Sequence, residues 1–274
     1  WDSTGNVVYW TLGKTLFRYD ILKAKQVEKI KKAESRASEN ENKTTSSSNG
    51  GDKTIEEYQA NEKDIIVKME RAMPNGHLAL TNATLITMSG EEIIDSGTII
   101  LKNNRIEKVG KSNEIEIPED AREIDLKGKF ILPGFVDTHA HLRPAWGLQK
   151  NSVWSYAANL AYGVTTTRDP QTGTTDVLTY ADMVEAGIIP GPRIYSTGPG
   201  VGYWGYNIKS LDHARDVLMQ YSKYYNTKTI KMYLTGNRQH RQWIIQAAKE
   251  QKLMPTTEGG LDFKLNITQI LDGY

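Results

Sequence analysis

Apolar and polar positions alternate in short segments at the start of the chain. Residues 7–12 and 15–19 alternate around a turn at Gly13, which predicts a β-hairpin. Residues 21–37 combine helix-forming residues with charges of both signs, which favours a solvated helix. Residues 38–53 contain no apolar side chain, and we expect a flexible linker because nothing there offsets the entropy of ordering.

The pattern changes at residue 77, where β-branched segments separated by turn-forming pairs begin. Residues 54–76, just before it, are mostly polar and are expected to be extended. The alternation and the spacing of the segments predict a small antiparallel β-sandwich. Its predicted strands are 78–88, 91–102, 105–110 and 122–132.

From Pro133 onwards, short apolar strands alternate five times with helical patterns. This alternation predicts parallel βα units, as in a barrel or a doubly wound sheet. The predicted strands are 135–142, 163–170, 192–198, 229–236 and 253–260. The predicted helices are 148–162, 174–187, 210–224, 238–252 and 264–273.

Composition excludes several classes of protein without changing this architecture. The 274 residues carry 34 Lys and Arg against 33 Asp and Glu, so the net charge gives no global reason to expect nucleic acid. The lysines within 29–32 lie between the acidic residues Glu28 and Glu34, which favours a solvated face over a nucleic-acid patch. The absence of cysteine excludes disulfides, thiolate metal sites and a cysteine nucleophile. No apolar run approaches the ~18 residues of a membrane span.

The strongest local indication of chemistry is the pair His139 and His141 at the end of the first predicted βα strand. Residues two apart on a strand point to the same side, so both imidazoles can face one metal ion. Active sites of βα barrels lie at the C-terminal ends of the strands, which favours a metal site over unrelated surface histidines. Asp137, two residues earlier, either orients a ligand imidazole or caps backbone amides.

Two further charged residues belong to later predicted strands. Lys231 lies in an otherwise apolar strand and is therefore exposed, paired or functional, because an unpaired buried ammonium is costly. Glu258 ends the fifth strand before two glycines, where it could ligate a metal, act as a general base or begin a helix. Arg168 and Asp169 end the second strand and form either an internal ion pair or a substrate clamp.

The glycine-rich loop at 197–205 has no following Gly-Lys-Ser/Thr, which argues against a phosphate-binding loop. Tyr203 and Trp204 in this loop are predicted to form pocket walls or a lid.

Residues 131–142 (ILPGFVDTHAHL), with the later GVTTTRDP, GPRIYSTGPG and TIKMYLTG, resemble the metal-dependent amidohydrolase superfamily. The resemblance covers about residues 77–274. It implies an α/β fold, namely a partial (β/α)8 TIM-like barrel of about five βα units beside the small β-sandwich. A whole barrel takes eight units in ~250 residues, so we expect this chain to be a segment of a longer protein and inactive alone.

The same resemblance implies the site residues and the cofactor. His139 and His141 would bind a divalent metal, with zinc favoured, as one or two ions. Lys231, once carboxylated, would bridge two metals and serve the catalysis. Glu258 stands where the superfamily usually has His and would act as a further ligand or base, with Asp137 behind the histidines.

A narrower resemblance concerns the N-terminal part, which looks like the end of a TolB-like β-propeller fused upstream of an amidohydrolase. The implied domains are a propeller end at 1–20, a charged linker at 21–76, the β-sandwich at 77–132 and the N-terminal part of the barrel at 133–274. This subgroup also implies a periplasmic or secreted location.

The function expected from these features is hydrolysis of C–N amide bonds by a metal-activated water. Suitable substrates are small non-peptide or dipeptide-like amides, including cyclic ones. The alternatives are a deaminase of the same superfamily and a non-catalytic scaffold that binds a protein partner through the propeller. Neither a nucleic-acid partner nor a membrane span is expected.

Overall fold

A computed structural model describes residues 1–41, 57–202, 206–233 and 235–273 of the chain. Residues 42–53 of the predicted linker lie outside this part. Within the described residues, no helix combines the length and the apolar character needed to cross a bilayer.

The predicted N-terminal hairpin is confirmed, and it belongs to a three-stranded sheet. Strands β1 (Val7–Leu12) and β2 (Thr15–Asp20) pair antiparallel, and β3 (Asn61–Asp64) pairs antiparallel with the other side of β2. The predicted helix is α1 (Ile21–Glu41). The sequence Asn-Glu-Lys-Asp of β3 has no apolar alternation, which is why its pattern did not indicate a strand.

This N-terminal sheet packs against a π-helix at Gln220–Tyr224. The rings of Phe17 and Tyr224 meet edge to face with their centroids 5.1 Å apart. The carboxylate of Glu62 accepts hydrogen bonds from Lys223 Nζ at 2.9 Å and from the Tyr224 hydroxyl at 2.8 Å. The hairpin therefore gains the packing surface that an isolated hairpin lacks.

The second group of strands forms one mixed sheet, not the antiparallel sandwich that alternation predicts. The predicted strand 122–132 is interrupted by a turn at Gly128, and both of its halves pair parallel with the first strand of the group. The other pairings are antiparallel. Ala83, Leu85 and Ile99 form the buried core. The strands are β4 (His77–Ile86), β5 (Ile93–Lys102), β6 (Arg105–Lys111), β7 (Arg122–Asp125) and β8 (Phe130–Ile131).

The predicted alternation of five strands and five helices is confirmed in the second half. The strands are β9 (Phe135–Asp137), β10 (Val164–Asp169), β11 (Arg193–Ser196), the short additional β12 (Val201–Gly202), β13 (Thr229–Tyr233) and β14 (Met254–Thr256). The helices are α2 (Trp154–Ala161), α3 (Asp176–Glu185), α4 (Leu211–Met219), α5 (Arg238–Glu250) and α6 (Phe263–Asp272).

All strand pairs in this half are parallel, and they form two three-stranded sheets. Their orders are β9-β10-β11 and β12-β13-β14. Neither a closed barrel nor a propeller is present in the described part of the chain. Each sheet has its own buried core, with Tyr156 and Tyr180 in the first and Leu218, Ile230 and Ile244 in the second.

A hydrogen-bond chain joins the two parallel sheets. Arg168 of β10 donates from Nη2 to Thr256 Oγ1 of β14 at 2.8 Å, and that hydroxyl donates to the Ile230 carbonyl at 2.7 Å. Partial burial lowers the pKa of Arg168. No ion pair joins Arg168 to Asp169 in the described structure, because consecutive residues of a strand point to opposite faces.

Gly134 in the PGF segment lies directly against the neighbouring strand. A Cβ atom at this position would overlap the side chain of Thr165. The missing side chain lets the start of β9 lie close to β10. This close approach positions β9 and the loop after it, which contains the two histidines.

Candidate functional site

The candidate site lies where three parallel strands end. His139 and His141 follow β9, Glu258 follows β14, and Lys231 lies within β13. The predicted metal-site residues thus come together from opposite ends of the βα series, at the strand ends where barrel enzymes place their active sites.

Lys231 is buried and paired with Glu258. The lysine residue is 1% exposed, and its Nζ donates a hydrogen bond to Glu258 Oε2 at 2.8 Å. This hydrogen bond lowers the pKa of the Glu258 carboxyl below its ordinary value of 4.5. The carboxylate is therefore ionised at neutral pH and compensates the buried ammonium.

The same carboxylate oxygen approaches the first histidine. Glu258 Oε2 lies 3.3 Å from His139 Nε2. The two side chains are 33% and 46% exposed, respectively, so solvent and a ligand can reach both. One oxygen atom thus faces a buried ammonium on one side and an accessible imidazole on the other.

The second histidine has partners of its own. The rings of His139 and His141 lie with their centroids 5.1 Å apart at an interplanar angle of 81°. His141 Nδ1 lies 3.2 Å from the Gln171 carbonyl oxygen and 3.4 Å from Asp169 Oδ1. A carbonyl oxygen only accepts hydrogen bonds, so these partners assign the proton to Nδ1 and leave the lone pair on Nε2.

Asp137 takes the capping role, one of the two that the sequence left open. Its Oδ1 accepts a hydrogen bond from the backbone N–H of His139 at 2.9 Å. The carboxylate beside the His141 imidazole is instead that of Asp169, for which the sequence predicted only an ion pair with Arg168 or a substrate clamp. Its position at the C-terminal end of the strand beside β9 is the signal that could have identified it.

Asp169 is almost completely buried, with 2% of its surface exposed. Its Oδ2 accepts from the Leu142 backbone N–H at 3.2 Å, and its Oδ1 accepts from the Gln171 backbone N–H at 3.3 Å. Burial raises the pKa of this carboxyl, while the hydrogen bonds from the two amides act in the opposite direction.

A cavity of about 1150 Å³ opens beside these residues. His141, Glu258, Arg143, Trp146 and Tyr206 contribute to its wall. Arg143 has a left-handed backbone conformation, with φ 45°. Among the described residues no acidic side chain pairs with its guanidinium. The cavity is thus large enough for a small organic substrate and has an uncompensated positive charge at its edge.

The predicted lid residues Tyr203 and Trp204 lie outside the described residues. The described part of the same loop contributes Pro199 and Gly200 to the cavity wall.

The spacing of His139 and Glu258 suits a shared metal ion. Two ligand atoms at ~2.0–2.1 Å from one tetrahedral zinc ion lie about 3.3–3.4 Å apart. The observed separation of His139 Nε2 and Glu258 Oε2 is 3.3 Å. No group of three or more His, Asp or Glu side chains among the described residues meets the geometry of a metal site as it stands. Two imidazole nitrogens and a carboxylate oxygen nevertheless form a donor set that divalent zinc accepts.

Comparison with known proteins identifies relatives for part of the chain. No protein-family model matches it. It is 46% identical over 65 residues to the 5-methylthioadenosine/S-adenosylhomocysteine deaminase of Bacillus cereus strain B4264. This match covers 22% of the chain and only 14% of that enzyme.

Solved structures match a larger share of the fold. A provisionally assigned prolidase from Bifidobacterium longum superposes with a TM-score of 0.61 at 26% identity, over 72% of this chain and 52% of its own. Phenylurea hydrolase B superposes with a TM-score of 0.59 at 21% identity, over 72% of this chain and 58% of its own. The chain therefore spans little more than half the length of these structures.

Proposed function

Because this chain belongs to the metal-dependent amidohydrolase superfamily, we propose that it provides the metal-binding residues of a hydrolase that cleaves C–N bonds. The matched deaminase, prolidase and phenylurea hydrolase support this proposal, since their names all indicate chemistry at C–N bonds. The activity belongs to the whole protein, of which these residues form the strand-end site.

The observation that carries the proposal is the convergence of His139, His141 and Glu258 beside the buried Lys231. We assign the two imidazoles and the Glu258 carboxylate as ligands of a divalent metal, with zinc preferred because two of the three donors are nitrogens. A divalent ion bound there lowers the pKa of water to ~7 and polarises a carbonyl group.

Glu258 and His141 each present a lone pair to a metal ion. Glu258 is ionised at neutral pH because the hydrogen bond from Lys231 lowers its pKa, so it presents the charged carboxylate that a metal ligand needs. His141 keeps its proton on Nδ1 and presents the Nε2 lone pair, as a ligand must.

We also propose that Lys231 becomes carboxylated when two metal ions bind. The ammonium first releases one proton, and the resulting amine nitrogen attacks the carbon of CO2 and releases a second proton, so a carbamate anion replaces the ammonium cation. An anion at this position cannot pair with Glu258, and the present ion pair and the carbamate are therefore alternative states unless a cation lies between them. Mass spectrometry with Zn²⁺ and bicarbonate tests this, and the gain of one CO2 must be absent in Lys231→Arg.

The cavity supports a substrate with an anionic group. Arg143 is positively charged and without an acidic partner among the described residues, while Trp146 and Tyr206 offer apolar surface. A dipeptide-like amide with a free carboxylate matches both features. Its carboxylate suits Arg143, since guanidinium groups bind carboxylates well, and its apolar part suits the aromatic rings.

A deaminase is the second candidate, and the 46% identity to the curated deaminase favours it. Both reactions need the same first metal, but deamination releases ammonia. Hydrolysis of a peptide-like amide releases an amine-bearing product and a carboxylate instead. Measuring free ammonia with each substrate class separates the two candidates.

The propeller and the location remain proposals supported by the resemblance. The antiparallel strands β1, β2 and β3 are compatible with part of a propeller blade, although α1 interrupts them. We propose a TolB-like propeller upstream and a periplasmic or secreted location. Cell fractionation of the source organism tests the location.

Metal analysis of the purified chain tests the proposed site directly. We expect zinc to be retained by the wild type and lost from His139→Ala/His141→Ala. The matched control is His213→Ala/His240→Ala, because these histidines make local contacts at helix starts and do not line the site. Equal zinc content in the two double variants would refute the proposed site.

A further inference from the structure

The strand-end site depends on a residue outside the proposed donor set. We propose that Asp169 is a positioning residue that fixes the tautomer and the orientation of His141. This inference rests on the proposed function, because it concerns how His141 is presented to the metal.

The first argument is burial with directed hydrogen bonding. Asp169 is 2% exposed, yet each of its carboxylate oxygens has a defined partner from a different loop. Leu142, directly after His141, donates to Oδ2, and Gln171 of the loop after β10 donates to Oδ1. A single carboxylate thus joins the loop that contains His141 to the loop that forms the cavity wall.

The second argument is the chemistry of the atoms around the imidazole. His141 Nδ1 faces two acceptors, the Asp169 carboxylate at 3.4 Å and the Gln171 carbonyl at 3.2 Å. The backbone amide of Gln171 is itself held by Asp169, so the carboxylate also positions that carbonyl. Two acceptors on one nitrogen require the proton at Nδ1, which leaves Nε2 free for a metal ion.

The third argument distinguishes Asp169 from the other carboxylates nearby. Asp137 contacts the His139 backbone and not an imidazole, and Glu258 uses its Oε2 on Lys231 and His139. In the described structure, Asp169 is the carboxylate that lies 3.4 Å from His141 Nδ1. An outer carboxylate on a ligand imidazole typically accounts for a 10–100-fold difference in metal affinity.

The test compares Asp169→Asn with Asp176→Asn in the full 274-residue chain. Asp176 is a matched control, because its carboxylate also accepts from the loop after β9, from the backbone amide of Gly147 and the side chain of Gln149, but contacts no histidine. Affinity for Zn²⁺ is measured by competition with a chelating dye. We expect Asp169→Asn to bind zinc about 10–100-fold more weakly and Asp176→Asn to bind like the wild type.

A second measurement needs neither metal nor a variant of Asp169. The imidazole nitrogens of metal-free wild-type protein are observed by ¹⁵N NMR at about pH 8, where imidazoles are ordinarily neutral, and His141→Gln assigns the resonances. We expect His141 to carry its proton on Nδ1. A proton on Nε2, or a zinc affinity of Asp169→Asn equal to that of the wild type, overturns the inference.

Variants at His141 and Asp169 distinguish a failure of the zinc site from a failure of the positioning role. If His141→Ala binds zinc as tightly as the wild type does, both the proposed site and the role of Asp169 are refuted. If zinc binding requires His141 but not Asp169, the site stands and the positioning role alone is refuted.

Discussion

Glu258 lies two residues beyond Thr256, the residue that stands opposite Lys231 in the parallel pairing of β13 and β14. From there its carboxylate reaches back over the strand end to accept a hydrogen bond from the buried ammonium at 2.8 Å. The ion pair of Lys231 and Glu258 therefore sets the charge of the strand-end site.

Glu258→Gln should destabilise the metal-free protein by about 1–3 kcal/mol. The substitution keeps the shape of the side chain but removes the negative charge that lies 2.8 Å from the buried ammonium of Lys231. Urea unfolding measures the change. Lys231→Met/Glu258→Gln should recover part of the loss, since both charges are then gone. The control Glu250→Gln removes an exposed ion pair with Arg215 and should leave the stability unchanged.

The stabilisation from this ion pair should depend on pH in the acidic range. The pKa of Glu258 is lowered in the folded protein from an ordinary value of 4.5, so its contribution is complete well above pH 4.5. It is lost as the pH falls through the folded-state pKa. The difference in unfolding free energy between wild type and Glu258→Gln, followed from neutral to acidic pH, should therefore shrink on acidification. A difference that grows on acidification would contradict this assignment.

Thr256→Val should weaken the connection between the two parallel sheets. The isosteric side chain removes both hydrogen bonds of the hydroxyl and leaves the partly buried Arg168 without this acceptor. We expect the free energy of unfolding, measured by urea denaturation, to fall by about 1–2 kcal/mol. Thr268→Val is the control, because its hydroxyl bonds only to the Leu265 carbonyl within α6. Equal effects of the two substitutions would show that the link contributes nothing beyond a local hydrogen bond.

Arg143→Gln should weaken the binding of anionic ligands selectively. The guanidinium lies at the exposed edge of the cavity, so we expect a loss of about three- to tenfold for an N-acyl amino acid. The corresponding carboxamide lacks the negative charge and should bind the wild type and Arg143→Gln with equal affinity. Calorimetric titration of the zinc-loaded protein with the two ligands measures the difference. An equal loss for both ligands would show that Arg143 shapes the cavity without recognising charge.

The sequence alone predicts the βα alternation and the proposed ligands, because both follow from local patterns. Strand periodicity predicts that His139 and His141 face one metal ion, although β9 ends at Asp137 and both histidines lie in the loop that follows it. The apolar surroundings of Lys231 leave an exposed, a paired and a functional amine open, and the structure shows a buried and paired one. Lys231 lies in β13, and the two histidines lie two and four residues beyond the end of β9, so the pattern locates these strands to within a few residues.

What the sequence does not predict depends on lateral neighbours. The role of Asp169 follows from the pairing of β9 with β10, which brings its carboxylate under His141. The strand β3 has no apolar residue and exists because β2 offers it an edge. The parallel direction of the two halves of the predicted strand 122–132 likewise depends on their pairing with β4, which the local pattern does not specify.

The placement of His139 after the first βα strand and Glu258 after the fifth has a consequence for folding. Contact between segments so distant along the chain requires the intervening units to hold both segments in place. A metal ion that needs both residues binds only this fully assembled state and stabilises it by mass action. Zinc retention would then report on the integrity of the whole βα series, and a packing defect far from the site would be detected as weakened metal binding.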